Sequence, residues 1–222
     1  MGIPHIDSAA SAKETGSNPC GFADDNFECL TPTVMKYDTI TLNLDQPIAE
    51  LTLNCPERRN ALSSEMLDEL SHAINRVAKS ECLGLLLQSS GTVFSAGHDF
   101  NDLLGVDEQR LHALLSKSTQ VALSLRRLEI PVLTQVQGPA IGAGCQLAIS
   151  GDFVVGSDLA SFQTPGGARG WFCFTPMVAL LQVLPHRRAF EMLFTGEAMK
   201  ADEALRFGIL NRVVGPEKLA EA

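Results

Sequence analysis

The chain has 222 residues, 45% of them hydrophobic, and a formal net charge of −9. That is enough for one large domain or two small ones with a full core, and the acidic balance excludes nucleic acid as the main partner. No segment approaches the ~20 apolar residues of a membrane-spanning helix.

Residues 1–33, rich in Ser, Ala and Gly, read as a flexible tail ahead of a domain over 34–222. They carry Asp7, Glu14, Asp24, Asp25 and Glu28 against Lys13 alone. Mitochondrial presequences are Arg-rich and poor in acids, and a signal peptide has a basic start and an apolar run. Met1-Gly2 is followed by Ile6, where myristoylation requires Ser or Thr. A cytoplasmic protein is therefore expected, rather than one of the mitochondrial matrix.

From Val34 the apolar pattern sharpens. Alternation through Ile40, Leu42 and Leu44, then Leu51 and Leu53, predicts strands over 34–44 and 48–53, joined at Asp45-Gln46-Pro47. A loop with Arg58, Arg59 and Asn60 follows. Ser63 or Ser64 then caps a helix whose stripe is Met66, Leu67, Leu70, Ile74 and Val77. Leu83 to Leu87 is a short apolar run, as in a strand covered on both faces. A helix is predicted over 108–128, stopped by Pro131, and Val132 to Val136 is the next buried strand.

A short helix from Gly142 and a strand at Phe153 to Val155 come next. Residues 164–175 are irregular. Helices are predicted over 176–183, 186–194 and 201–207, then a strand at Val213-Val214 and the start of a helix at 217–222. This alternation of strands and helices indicates a mostly parallel α/β core.

Six cysteines, at 20, 29, 55, 82, 145 and 173, form no Cys-x-x-Cys or Cys/His cluster. No metal site is expected, and free thiols in a reducing compartment are. Arg58-Arg59 and His186-Arg187-Arg188 are local basic spots that suit either a phosphate or solvent.

Two bends of small residues stand out: Phe94-Ser95-Ala96-Gly97-His98-Asp99, and Gly138 to Gln146 ("GPAIGAGCQ"). Each follows a strand carboxyl end, where open α/β sheets place their ligands. Small residues leave backbone N–H groups uncovered, and two such groups aimed at one point stabilise negative charge on a carbonyl oxygen. A dinucleotide site fits less well, because the spacing Gly138-x-x-x-Gly142-x-Gly144 is not G-x-G-x-x-G. A plainer reading is that the glycines only permit tight packing.

Four ordered stretches carry a family resemblance: "PERRNALSSEML" at 56–67, "FSAGHDF" at 94–100, "PVLTQVQGPAIGAGCQLAISGDFVVGSD" at 131–158 and "FTGEAMKADEALRFGILNRVV" at 194–214. Together they resemble the crotonase, or enoyl-CoA hydratase/isomerase, superfamily over about residues 34–214. The resemblance implies an α/β crotonase (ClpP/crotonase-like) fold of repeated ββα units. It also implies an acyl-CoA thioester as substrate, with coenzyme A part of that substrate and no separate cofactor.

By motif position, the N–H groups of His98 and Ala143 would form the oxyanion hole. Arg58, Arg59, Ala61, Leu62, Ser95, Ala96, Gly97, Asp99 and Gly142 would meet the CoA portion, and Arg169, Trp171 and Cys173 would line the acyl pocket. The family's two catalytic glutamates fall at Gln146 and Gly166, neither of which transfers a proton. His98, Asp99, Asp102 and Glu191 are the remaining candidate bases. Fatty-acid or related acyl-CoA metabolism is implied, with catalysis through another base, or binding without turnover, as alternatives. The resemblance also implies a homo-oligomer, a trimer or hexamer. The chain ends near where the family's last helices begin, so that part is expected to be short and assembly weakened.

Overall fold

The computed structural model describes residues 37–222. The expected tail at 1–33 and the first residues of the opening strand lie outside the described residues.

Strands β1 (Ile40–Asn43) and β2 (Ile48–Leu53) form an antiparallel hairpin with Ile40 opposite Leu53. In β2 the period-two alternation buries Ala49, Leu51 and Leu53 and leaves Ile48 exposed. Beyond β2 the sheet is parallel. It adds β3 (Gly84–Ser89), β4 (Val132–Val136), β6 (Phe153–Ser157) and β9 (Arg212–Val214), in the order β1-β2-β3-β4-β6-β9. A second sheet joins β5 (Pro139–Ile141), β7 (Ser161–Gln163) and β8 (Met199–Lys200).

Helix α1 (Ser64–Val77) starts at Ser63, whose Oγ accepts from Met66 N at 3.1 Å. Its inner stripe, Met66, Leu67, Leu70, Ala73, Ile74 and Val77, is fully buried. Removing a large apolar side chain of this kind from water contributes ~1.5–3 kcal/mol. Asp107 caps α2 (Glu108–Arg126) by accepting from Arg110 N at 2.8 Å. This helix buries Leu114, Val121, Ala122 and Leu125 and leaves Leu111 and Leu115 half-buried. Every residue of the short α3 (Ala143–Ala148) is buried. Helices α4 (Phe174–Val183), α5 (His186–Thr195) and α6 (Ala201–Phe207) follow.

The structure departs from the sequence reading in the second sheet. Its strands are two or three residues long, too short to show a period of their own. Residues 216–221 form a 3-10 turn rather than the start of an α-helix. Residues 167–169 form another within the irregular stretch.

Candidate functional site

The two bends are built against each other. Ser95 pairs with Ala140 in a parallel bridge, and Ile141 N donates to Ser95 O at 2.9 Å. Phe94 N donates to Pro139 O at 3.0 Å. A Cβ on Gly138 would stand 2.0 Å from Thr92 O, and one on Gly144 2.6 Å from Ser95 O. The glycines therefore do serve close packing, and what each packs against is the other bend.

This contact leaves two backbone donors free. Leu62 and His98 form a parallel bridge through their neighbours: Leu62 N donates to Gly97 O at 2.8 Å, and Asp99 N donates to Leu62 O at 3.3 Å. The N–H of His98 takes no part in that pairing. Ala143 opens α3, where the first N–H groups have no acceptor within the helix. Neither N–H has an acceptor among the described residues. A Cβ on Gly97 would lie 2.6 Å from Ile141 O and 3.3 Å from Ala143 N, so the peptide leading into His98 lies beside Ala143. Gly97 and Gly142 adopt φ of 84° and 57°, which glycine tolerates best.

The loop before α1 is fastened to the first bend. Asn60, at φ 50° and wholly buried, donates through Nδ2 to Ser90 O and Val93 O, each at 2.9 Å. Its Oδ1 accepts from Cys55 N at 2.9 Å, and its carbonyl accepts from Ser95 Oγ at 2.7 Å. Ala96 N donates to Arg59 O at 2.9 Å. The structure thus joins Arg59, Asn60 and Leu62 to Ala96, Ser95 and Gly97 respectively. The sequence reading gave Asn60 no role. Asn is one of the few residues that tolerate a left-handed backbone, and that was the available signal.

Arg58 forms an ion pair with Asp99. Asp99 is 6% exposed and also accepts from Asn101 N through Oδ1 at 2.9 Å. It is a loop cap and counter-ion. Asp102 Oδ2 accepts from Ser64 N at 2.7 Å, at the start of α1. Glu191 is exposed on α5 and pairs with Arg188 at 2.5 Å. Each of these carboxylates is already engaged. Arg59 is exposed, at φ 56°.

His98 is half-buried, and burial pushes its imidazole down to about 4, so it is neutral at pH 7. Its Nδ1 is buried with no partner among the described residues, and so is Gln146 Oε1. Gln146 is 6% exposed and sits one turn along α3 from Ala143.

Gly166 lies in a tight turn, its carbonyl accepting from Arg169 N at 2.9 Å and Trp171 N at 2.8 Å. A Cβ there would stand 1.9 Å from Trp171 O and 2.8 Å from Cys173 Sγ. Arg169 and Trp171 are exposed and Cys173 is half-buried. Burial raises the Cys173 thiol, so it is not an activated nucleophile. Burial, with the neighbouring Cys173, pushes Cys145 up to about 12. Cys55, Cys82, Cys145 and Cys173 are free thiols. No helix among the described residues is long and apolar enough to cross a membrane, and no group of three or more metal-ligating side chains occurs among them.

Against known proteins, the family model described as enoyl-CoA hydratase/isomerase matches residues 43–222. The mitochondrial enoyl-CoA hydratase domain-containing protein 3 of Rattus norvegicus is 44% identical over 176 residues, 78% of this chain and 59% of that protein. The chain thus spans less than two thirds of that relative's length. The crystal structure of human enoyl-CoA hydratase domain-containing protein 3 superposes with a TM-score of 0.79 at 39% identity, covering 83% of this chain and 73% of that one. The enoyl-CoA hydratase of Mycobacterium smegmatis gives a TM-score of 0.81 at 37% identity, with 83% and 73% covered. These neighbours bear out the expected crotonase fold. The rat relative is mitochondrial, which overturns the expectation of a cytoplasmic protein drawn from residues 1–33. The acid-rich composition of that stretch was a poor guide to compartment.

Proposed function

Because the chain belongs to the enoyl-CoA hydratase/isomerase family, we propose that it binds acyl-CoA thioesters and polarises the thioester carbonyl with the N–H groups of His98 and Ala143. The observation that carries this reading is the pair of unpaired backbone donors on abutting bends. Proton removal or addition beside a thioester carbonyl builds charge on its oxygen. Preset donors stabilise that charge, and removing one such donor typically costs ~3–4 kcal/mol of barrier. In this reading Arg59, exposed in the same loop, would meet a CoA phosphate, while Arg58 is already paired with Asp99.

Proton transfer is the weak part of the site. Gln146 is an amide, residue 166 has no side chain, and the nearby carboxylates are engaged. Neutral His98, held down near 4, is a poor base. These features favour a second reading, acyl-CoA binding with little or no hydration. Calorimetry and a hydration assay with crotonyl-CoA separate the two. Binding without hydration supports the second reading, and robust hydration refutes it. Absence of any acyl-CoA binding by the folded chain removes both.

A further inference from the structure

Resting on the acyl-thioester reading above, we propose that Arg58 is a positioning residue: through its ion pair with Asp99 it holds the peptide between Gly97 and His98, and so aims the His98 N–H at the thioester carbonyl. The family resemblance set Arg58 against CoA, whereas its guanidinium is engaged by a carboxylate 41 positions along the chain. The N–H of His98 and the carbonyl of Gly97 belong to one planar peptide, so whatever holds one of them aims the other. Gly97 O accepts from Leu62 N at 2.8 Å, which fastens one side of that plane.

The other side is held less firmly by the main chain. Gly97, at φ 84° and without a Cβ, does little to stop the plane from turning. The next main-chain bond, Asp99 N to Leu62 O, is 3.3 Å, longer than an ordinary N–H···O bond. What remains is the Asp99 side chain. Its Oδ1 accepts from Asn101 N at 2.9 Å, within its own loop. Its Oδ2 is held by Arg58, and of the two contacts this one reaches across to the loop before α1. The Asp99 side chain is 7% exposed, which shelters the pair on the carboxylate side, and a charge-assisted bond is stronger than a neutral one. Arg58 ends the short 3-10 turn Pro56–Arg58, and Asn60, just beyond it, is tied to Ser90 and Val93. The ion pair therefore links a firmly held loop to a peptide next to a glycine hinge.

Titration calorimetry of the whole chain with butyryl-CoA and with S-butyl-CoA, a thioether of the same length without the carbonyl, tests this. The wild type is expected to bind the thioester about tenfold tighter, since the two N–H groups act only on a carbonyl. In Arg58→Ala that preference should drop to about twofold. Asp99→Asn, which keeps an acceptor for Asn101 N and loses the charge, should do the same. Arg58→Lys, which keeps a cation there, should retain more of the preference than Arg58→Ala. A contact between Arg58 and a CoA phosphate would weaken both ligands alike. A preference unmoved in Arg58→Ala and Asp99→Asn therefore overturns the proposal and leaves the acyl-thioester reading standing. A wild type without thioester preference removes the two donors and the proposal together, and failure of both ligands to bind removes the acyl-CoA reading. If Arg58→Ala does not fold by circular dichroism, Asp99→Asn decides.

Discussion

The carbonyl oxygen of Trp171 occupies the space that a side chain at Gly166 would need, 1.9 Å from the position of its Cβ. Residue 166 has ordinary helical backbone angles, so the obstacle is crowding by main chain and not backbone strain. Main chain cannot swing aside as the end of a flexible side chain can. Gly166→Ala is therefore expected to cost about 1–3 kcal/mol, as overpacking does, read as a lowered midpoint in urea. Installing carboxylates at both positions, Gln146→Glu with Gly166→Glu, should yield a less stable protein with no gain in crotonyl-CoA hydration. Hydration appearing in the double variant would show that the turn opens easily.

Asn60 supplies the next test. Its side chain fixes Cys55, Ser90 and Val93 from a fully buried, left-handed position. Asn60→Ala leaves two carbonyls and one amide without partners and keeps the awkward backbone. A loss of about 2–4 kcal/mol is expected from those unmade bonds. Weaker acyl-CoA binding should accompany it, because the carbonyl of Asn60 holds Ser95 in the first bend. A variant with wild-type stability would mean that this loop is not what holds the bend.

How much of this was legible in the sequence depends on the range of the interaction. Ser63 as cap, the α1 stripe and the buried run at 132–136 are local patterns, and they appear where the sequence placed them. The two bends were visible as runs of small residues, although their contact through Ser95 and Ala140 was not. The ion pair of Arg58 with Asp99 joins residues 41 apart, and nothing local marks it. For the same reason Gly166 read as a missing carboxylate, while its closeness to Trp171 appears only once the turn is folded.

Gly97 tests the proposed donors without touching a donor. A Cβ there meets Ile141 O at 2.6 Å, and its φ of 84° disfavours any side chain. Gly97→Ala should push the two bends apart and cost about 1–3 kcal/mol of stability. Acyl-CoA affinity should fall by more than in Arg59→Ala, which removes one exposed charge. Calorimetry on both variants checks the order, and the reverse order would place the binding energy in the CoA phosphates.

His98 gives the fold a pH dependence of known sign. Burial holds the folded imidazole near 4, below the ordinary value of 6.5. Between those values the unfolded chain binds the proton that the folded chain refuses, so stability rises with pH across the window. It is fully present above about 6.5 and is lost as pH falls toward 4. From pH 7 to pH 5 this group alone removes about 2 kcal/mol, at roughly 1.4 kcal/mol for each unit of difference. Urea titrations at the two pH values should show that loss in the wild type and a smaller one in His98→Gln. Equal losses would show that His98 is not the source of the acid sensitivity.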